Sequence, residues 1–213
     1  MMVLYLALIA LIAYFLGGLN GSIIASKSFF KRDIRDYGSG NPGITNFYRI
    51  FGKPGAGLVL AVDILKSVSA LLAGGWIFGI LGFEPVGKLF AGFCLILGHM
   101  YPLYFRFKGG KGVLCAGVFV LMTDWRVGLV CWLVFIATVI VTRYVSLASM
   151  IAMVCAPIGM LSFYGWLEFL LALFSTLAVL LKHKDNIKRL YSGNEPKFGQ
   201  KPKEKTDPPE DES

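Results

Sequence analysis

The sequence predicts an all-α integral membrane protein with about seven transmembrane helices. Hydrophobic residues make up 56% of the 213-residue chain, and the mean hydropathy is +0.66. Long apolar runs alternate with short charged or glycine-rich segments, and a run of about 20 apolar residues is enough to cross a bilayer. A soluble domain of this size could not bury such runs. The excess of 21 basic over 13 acidic residues therefore indicates membrane orientation before it indicates nucleic acid.

Apolar runs between charged or turn-rich breaks define the predicted helices. The first run has no basic leader and no clear cleavage site, so we expect a retained helix and not a signal peptide. The fourth and fifth runs are short for full spans. The predicted spans are 2–25, 54–81, 86–106, 112–124, 126–142, 145–163 and 165–182.

The basic residues predict the orientation. With seven spans, 18 of the lysines and arginines fall on one side of the membrane. Lys88 and Arg126 fall on the other side, and Lys66 lies within the second span. Because basic residues are retained in the cytoplasm, this distribution predicts an N-terminus outside and a cytoplasmic C-terminus.

Three polar segments lie on the predicted cytoplasmic side, and we call them motif one (38–49), motif two (98–113) and motif three (182–199). A weaker polar segment covers 142–149. We expect residues 1–199 to form a single membrane-embedded domain. The remainder, 200–213, is charged and rich in proline, which predicts a disordered cytoplasmic tail.

Motif one, GSGNPGITNFYR, formally matches the GxGxxG dinucleotide fingerprint. No strand precedes it and Pro42 interrupts it, so a Rossmann site is excluded. Its glycines allow close backbone approach to an anion, and its side chains are hydrogen-bond donors. A tight turn with capping residues is the alternative. The candidate phosphate-binding residues are Gly38, Ser39, Gly40, Asn41, Gly43, Thr45, Asn46 and Arg49.

Motif two, GHMYPLYFRFKGGKGV, resembles a Walker A loop but lacks its spacing, since Phe105 and Gly112 stand where that loop needs glycine and Ser or Thr. Its glycines and lysines suit phosphate oxygens. A positive-inside anchor would explain the lysines alone. His99 is a base, a donor or a packed polar residue. The candidate residues are His99, Lys108, Gly109, Gly110, Lys111 and Gly112.

Motif three places His183, Asn186 and Arg189 on roughly one helix face, and Glu195 follows a turn. An amphipathic interfacial helix is the alternative reading. Within the second span, Asp63 and Lys66 are spaced as an internal ion pair, for which we expect a structural role.

The cysteines and acidic residues predict neither a metal site nor a cofactor. Four cysteines stand alone inside apolar runs without metal-ligand or disulfide spacing. Donor groups gathered at one membrane face instead indicate a site for a phosphate compound with an apolar portion. Because the sequence shows no nucleophile elbow, we expect positioning and charge stabilisation without a covalent acyl-enzyme.

The three motifs, together with DILK in the second span and SLAS before the sixth, resemble the bacterial acyl-phosphate-dependent glycerol-3-phosphate acyltransferases of the PlsY type. The resemblance covers nearly residues 1–199. Where that family usually has KGVAT, this chain has KGVLC, which changes Leu114 and Cys115 but no charged group.

The resemblance implies transfer of a fatty acyl group from acyl phosphate to the sn-1 hydroxyl of glycerol 3-phosphate, giving lysophosphatidic acid and phosphate for phospholipid synthesis. It implies a cytoplasmic-face site in the bacterial inner membrane, with the bilayer and the two substrates as partners and no need for coenzyme A, acyl carrier protein or nucleic acid. The implied catalytic residues are Ser39, Arg49, His99 and Lys108. Ser146 joins the substrate-binding residues Gly38, Gly40, Asn41, Gly43, Thr45, Asn46, Gly109, Gly110, Lys111, Gly112, His183, Asn186, Arg189 and Glu195.

The alternative from another class is a transporter or channel for phosphorylated metabolites. Such folds place their sites on paired broken helices, often in inverted repeats, and the sequence shows neither. A lipid phosphotransferase would need an aspartate-rich metal motif that the sequence lacks.

Overall fold

The protein is all-helical across the part of the chain that its computed structural model describes, residues 2–53 and 55–200. The predicted fold class is confirmed, while most of the predicted tail, 201–213, lies outside the described residues. The helices are α1 (Met2–Gly18), α2 (Gly21–Phe30), α3 (Ile44–Phe51), α4 (Ala56–Gly79), α5 (Glu84–Met100), α6 (Val113–Thr123), α7 (Trp125–Thr142), α8 (Val145–Phe163), α9 (Trp166–Lys182) and α10 (Lys184–Tyr191).

Helix length supports five or six spans, fewer than the seven predicted. Five helical segments in the described residues are long and apolar enough to cross a membrane. A sixth arises if α9 and α10, which meet at a bend of 56°, count as one broken span. Helix α6 is apolar but only 11 residues long, and at 1.5 Å per residue it reaches only about 16 Å of a hydrocarbon layer about 30 Å thick.

The first predicted span is interrupted at Asn20, where the sequence pattern suggested continuous helix. The Asn20 side chain accepts a hydrogen bond from the Ile23 amide at 3.0 Å and so caps α2. Its amide nitrogen also donates to the carbonyl of Pro42 at 3.1 Å. The break thereby ties the first membrane segment to motif one.

Glycines bring α5 unusually close to two neighbouring helices. A side chain at Gly17 of α1 would overlap the Leu95 carbonyl, and one at Gly98 would overlap the Tyr14 carbonyl. Gly74 of α4 and Gly87 of α5 exclude side chains from each other in the same way. Small residues at such positions allow backbones to approach within a membrane, where packing drives helix association.

A small aromatic core supports the segment that carries motif one. Phe30, Phe47 and Phe51 pack together, with Phe30 and Phe51 stacked at 4.3 Å between ring centroids. Arg35 then bridges to motif two, because its guanidinium donates to the Phe105 carbonyl at 3.0 Å and the Lys108 carbonyl at 3.3 Å. These contacts hold motifs one and two side by side at one end of the helix bundle.

Candidate active site

A cavity of about 310 Å³ lies at the end of the bundle that carries the three motifs. Its wall combines polar side chains, most of them from the three motifs, with apolar side chains of α6, α7 and α8, which we call the apolar branch. The polar side chains are those of Ser39, Asn41, Thr45, Asn46, Arg49, Asp63, His99, Lys111, Ser146, His183, Asn186, Arg189 and Glu195. The apolar branch contains Val113, Leu114, Val120, Trp132, Phe135 and Met153.

The loop of motif one is shaped by Asn46. Its side-chain oxygen accepts from the Ser39 amide at 3.0 Å, and its nitrogen donates to the Tyr37 carbonyl at 3.0 Å. Gly38 and Gly40 have positive φ values of 58° and 70°, which favour glycine. The two glycines form the turn that presents Ser39 at the cavity wall, and their own predicted substrate-binding role stays a prediction.

Helix α3 turns two predicted residues toward the cavity. The helix begins at Ile44. Because Thr45 and Arg49 are four positions apart, they lie on the same face of the helix, and both line the cavity. Burial lowers the pKa of the Arg49 guanidinium from its usual value, and Glu195 opposes that shift. Because a guanidinium remains charged at physiological pH, Arg49 brings a fixed positive charge to the cavity.

The glycines of motif two allow the chain to fold back onto the end of α5. The amide of Gly109 donates to the Met100 carbonyl at 3.2 Å, and that of Gly110 donates to the His99 carbonyl at 3.1 Å. A side chain at either glycine would overlap these residues. Both amides are therefore engaged within the protein, which argues against their predicted role in binding an anion.

Helix α6 begins at the cavity directly after Gly112, whose φ is +75°. No side chain caps its first turn. The first amides of a helix have no intrahelical partners and carry partial positive charge. This helix start, and not Gly109 or Gly110, is where motif two offers free backbone donors.

The two motif-two lysines lie in different places. Lys111 lines the cavity, and burial lowers the pKa of its ammonium group to about 8. Lys108 is exposed and absent from the cavity wall, and its carbonyl accepts from Arg35. The predicted catalytic role of Lys108, an exposed residue in the turn that precedes α6, stays a prediction.

Glu195 organises the motif-three side chains. Its Oε1 accepts from Ser146 Oγ and from Asn186 Nδ2, each at 2.6 Å, and its Oε2 accepts from Arg189 Nε at 2.8 Å. Burial raises the pKa of the Glu195 carboxyl, but these three donors outweigh burial and hold the pKa below its usual value. An ionised Glu195 therefore positions three predicted substrate-binding residues.

Two motif-three groups remain available to a ligand. The side-chain oxygen of Asn186 is buried and has no hydrogen-bond partner in residues 2–53 and 55–200. His183 Nδ1 lies 2.8 Å from the Val179 carbonyl. Because a carbonyl only accepts, Nδ1 carries the proton and a neutral His183 presents Nε2 as an acceptor. Both groups can accept a hydrogen bond from a ligand.

The expected ion pair of Asp63 and Lys66 is confirmed at 2.7 Å, and it extends to the cavity. Lys66 Nζ also lies 2.9 Å from His99 Nδ1. Ligand atoms of Asp63, His99 and Cys115 lie within 4.8 Å of one another, a spacing compatible with a metal ion. The Lys66 ammonium already lies among them, and its positive charge disfavours a cation there.

Sequence reasoning missed the apolar branch of the cavity. In the sequence, its residues cannot be told from ordinary membrane-helix residues, among them Trp132, Phe135 and Met153. Hydropathy does not distinguish a helix side that faces lipid from one that faces a cavity. The sequence predicts a structural role for Asp63, although an ionisable residue at that depth in the membrane is also a signal of function. Its place in the cavity wall depends on how α4 packs against α5.

The fold and the cavity together define a multi-pass membrane protein with a cluster of basic and hydrogen-bonding groups beside an apolar branch. The sequence profile described as glycerol-3-phosphate acyltransferase matches residues 7–193. The chain belongs to the glycerol-3-phosphate acyltransferase family.

Similar proteins match over most of their lengths. Glycerol-3-phosphate acyltransferase of Clostridioides difficile is 38% identical over 198 residues, covering 91% of this chain and 96% of the relative. That of Staphylococcus haemolyticus is 36% identical over 193 residues, covering 88% and 95%. The crystal structure of PlsY (YgiH), an integral membrane glycerol 3-phosphate acyltransferase, in its glycerol 3-phosphate form matches with a TM-score of 0.80 and 34% identity, covering 91% of this chain and 96% of that chain. Its lysophosphatidic acid form matches with a TM-score of 0.77.

Proposed function

We propose that this protein transfers a fatty acyl group from acyl phosphate to the sn-1 hydroxyl of glycerol 3-phosphate, forming lysophosphatidic acid and inorganic phosphate. The observation that carries the proposal is one cavity lined both by three basic residues, Arg49, Lys111 and Arg189, and by the apolar branch. Family membership and the substrate and product forms of the similar PlsY structure support it.

The basic residues favour acyl phosphate as the donor. Acyl phosphate and glycerol 3-phosphate are both dianionic, so a productive complex must hold two phosphates close together. Arg49, Lys111 and Arg189 would offset that repulsion, and each charge-assisted contact contributes about 1.5–3 kcal/mol. An acyl phosphate is already activated, which agrees with a reaction that needs no coenzyme A and no acyl carrier protein.

The side chains divide between the two substrates. Ser39 and the start of α6 beside Lys111 would hold the acyl phosphate, with its chain in the branch past Trp132. Arg49, Ser146, His183 and Asn186 would hold glycerol 3-phosphate. The buried oxygen of Asn186 supports this division, since it needs a hydrogen-bond donor and a glycerol hydroxyl would supply one.

The reaction is a direct displacement at the acyl carbonyl. The sn-1 oxygen forms a bond to the carbonyl carbon while the bond to the phosphate oxygen breaks. The proton of the hydroxyl ends on the leaving group, which departs as hydrogen phosphate. The protein's residues orient the reactants and stabilise the oxyanion, so no covalent acyl-enzyme forms.

The basic residues also support a cytoplasmic active site in the bacterial inner membrane. Motifs one, two and three meet at one end of the bundle, which brings together most of the basic segments. Lys88 and Arg126 lie near the starts of α5 and α7. The positive-inside rule then orients the cavity toward the cytoplasm.

The test is an assay of the purified protein in detergent. We expect phosphate release from acyl phosphate to require glycerol 3-phosphate and to match the lysophosphatidic acid formed, as measured by mass spectrometry. Acyl-coenzyme A and acyl carrier protein thioesters serve as alternative donors. Turnover with a thioester, and none with acyl phosphate, would overturn the proposed donor.

A further inference from the structure

His99 is a buried histidine whose ring nitrogens have different surroundings. The residue is 4% exposed at the end of α5, and its ring lines the cavity. Nδ1 lies 2.9 Å from Lys66 Nζ. Nε2 has no hydrogen-bond partner in the described ranges 2–53 and 55–200, and a side chain at Gly110 would overlap it. Nδ1 therefore faces the protein, and Nε2 lies beside the glycine loop.

The surroundings of Lys66 determine which nitrogen carries the proton. Its ammonium group also lies 3.1 Å from the Gly17 carbonyl, 2.8 Å from the Leu19 carbonyl and 2.7 Å from Asp63 Oδ1. An ammonium group donates and has no acceptor. A proton on His99 Nδ1 would point at this cation, so Nδ1 must present its lone pair.

No other group nearby reverses this assignment. Asp63 Oδ1 is 3.9 Å from His99 Nδ1, beyond hydrogen-bond distance. Cys115 Sγ is 3.6 Å from the same nitrogen and is at most a weak donor to it. Lys182 donates to the neighbouring Met100 carbonyl at 3.0 Å. A neutral His99 with a lone pair on Nδ1 carries its hydrogen on Nε2.

We propose that Lys66 fixes His99 as the Nε2–H tautomer, so that His99 donates a hydrogen bond to an anionic oxygen of the bound substrate. His99 is then a catalytic donor and not the base, because a base in the cavity would need a lone pair on Nε2. Lys66, held by Asp63, is a positioning residue. The identity of the substrate that accepts this hydrogen bond rests on the proposed function, whereas the tautomer of His99 does not depend on that function.

Nitrogen NMR of the histidine rings tests the tautomer without any assay. The chain has two histidines, so His99→Gln and His183→Gln assign both signals in ¹⁵N-histidine-labelled protein in nanodiscs. We expect His99 to show a protonated Nε2 and a bare Nδ1, and His183 to show the reverse. A protonated Nδ1 at His99 in the wild-type protein would overturn the proposal.

Activity tests the donor role. The side-chain amide of Gln reaches the position of Nε2 and donates, but it cannot take a proton. We expect His99→Gln to retain at least about ten-fold more activity than His99→Ala, with an unchanged pH–rate profile. Two results together would show that His99 is the base. Both variants would lose activity equally, and the wild-type pH–rate profile would have an acidic limb that His99→Gln removes.

Lys66→Met tests positioning, with Lys88→Met at the far end of the bundle as its matched control. We expect Lys66→Met to lower kcat more than it changes KM, and to mix the two His99 tautomers in the NMR spectrum. An unaltered His99 spectrum in a folded Lys66→Met protein would contradict the role given to Lys66. Failure of the proposed function can be distinguished from failure of this inference. In the first case the wild-type protein would form no lysophosphatidic acid, whichever His99 tautomer the NMR spectrum shows.

Discussion

The Ser146 hydroxyl donates to Glu195 Oε1 over 2.6 Å, joining the start of α8 to the segment after α10. The two residues are 49 positions apart in the sequence. Asn186 Nδ2 donates to the same carboxylate oxygen. Residues that we assign to glycerol 3-phosphate are thus arranged around one ionised carboxylate.

Replacing that carboxylate should weaken glycerol 3-phosphate binding. Glu195→Gln removes the charge that pairs with Arg189. The new side-chain amide also places a donor beside groups that themselves donate to Glu195 in the wild-type protein. We expect KM for glycerol 3-phosphate to rise by at least about ten-fold, because the partly buried Arg189 loses its charged partner and the arrangement of Ser146 and Asn186 is disturbed. Steady-state kinetics measure this, with Glu84→Gln at the far end as control. An equal effect of Glu84→Gln would indicate a general loss of structure.

Arg49 should contribute mainly to substrate affinity. Arg49→Ala removes a half-buried guanidinium from the cavity wall. We expect kcat/KM for glycerol 3-phosphate to fall by about 10- to 100-fold, and Arg49→Lys to recover part of the loss. Arg32→Ala is the control, because Arg32 is exposed on the same segment. Wild-type affinity in Arg49→Ala would remove this residue from the site.

Lys111 should make activity fall in mild alkali. Burial lowers the pKa of its ammonium group to about 8, so the cation is present below that pH and is lost as pH rises through it. We expect KM for acyl phosphate to rise above pH 8 in the wild-type protein. Lys111→Arg keeps its charge and should flatten the profile. Identical profiles for the two proteins would exclude Lys111 as the titrating group.

Trp132 should limit the acyl chain. Its indole lines the apolar branch and donates to the Gly117 carbonyl at 3.2 Å. Trp132→Ala enlarges the branch, so we expect relative kcat/KM to shift toward longer chains across a series of acyl phosphates. Leu133→Ala is the control, because Leu133 is 57% exposed on the lipid-facing side of the same helix. An unchanged preference in Trp132→Ala would place the chain elsewhere.

The fold class could be predicted because hydropathy is a local property of the chain. The positions of α4, α7, α8 and α9 follow closely from where apolar runs begin and end. The count of seven spans could not be predicted reliably. The fourth predicted span corresponds to α6, which is apolar but only 11 residues long and begins at Val113, after a segment that folds back onto α5.

The candidate site was predictable only as a set of residue types. Short polar side chains, glycines and basic residues in three segments indicated phosphate binding, and most of those side chains do line the cavity. Lys108 and Lys111 could not be distinguished, because the direction of each depends on the turn at 101–108. Gly109 and Gly110 were assigned to ligand binding, although their amides bond to carbonyls at the end of α5.

The sequence by itself determined a helical membrane protein with its polar chemistry in three motifs, because the length of an apolar run and the type of each residue are local properties of the chain. Only the tertiary structure decided which groups face the cavity and in what state. Lys66 faces His99, and the Val179 carbonyl faces His183. Which histidine nitrogen carries its proton depends on the partner that packing places beside it, and no local pattern in the sequence contains that information.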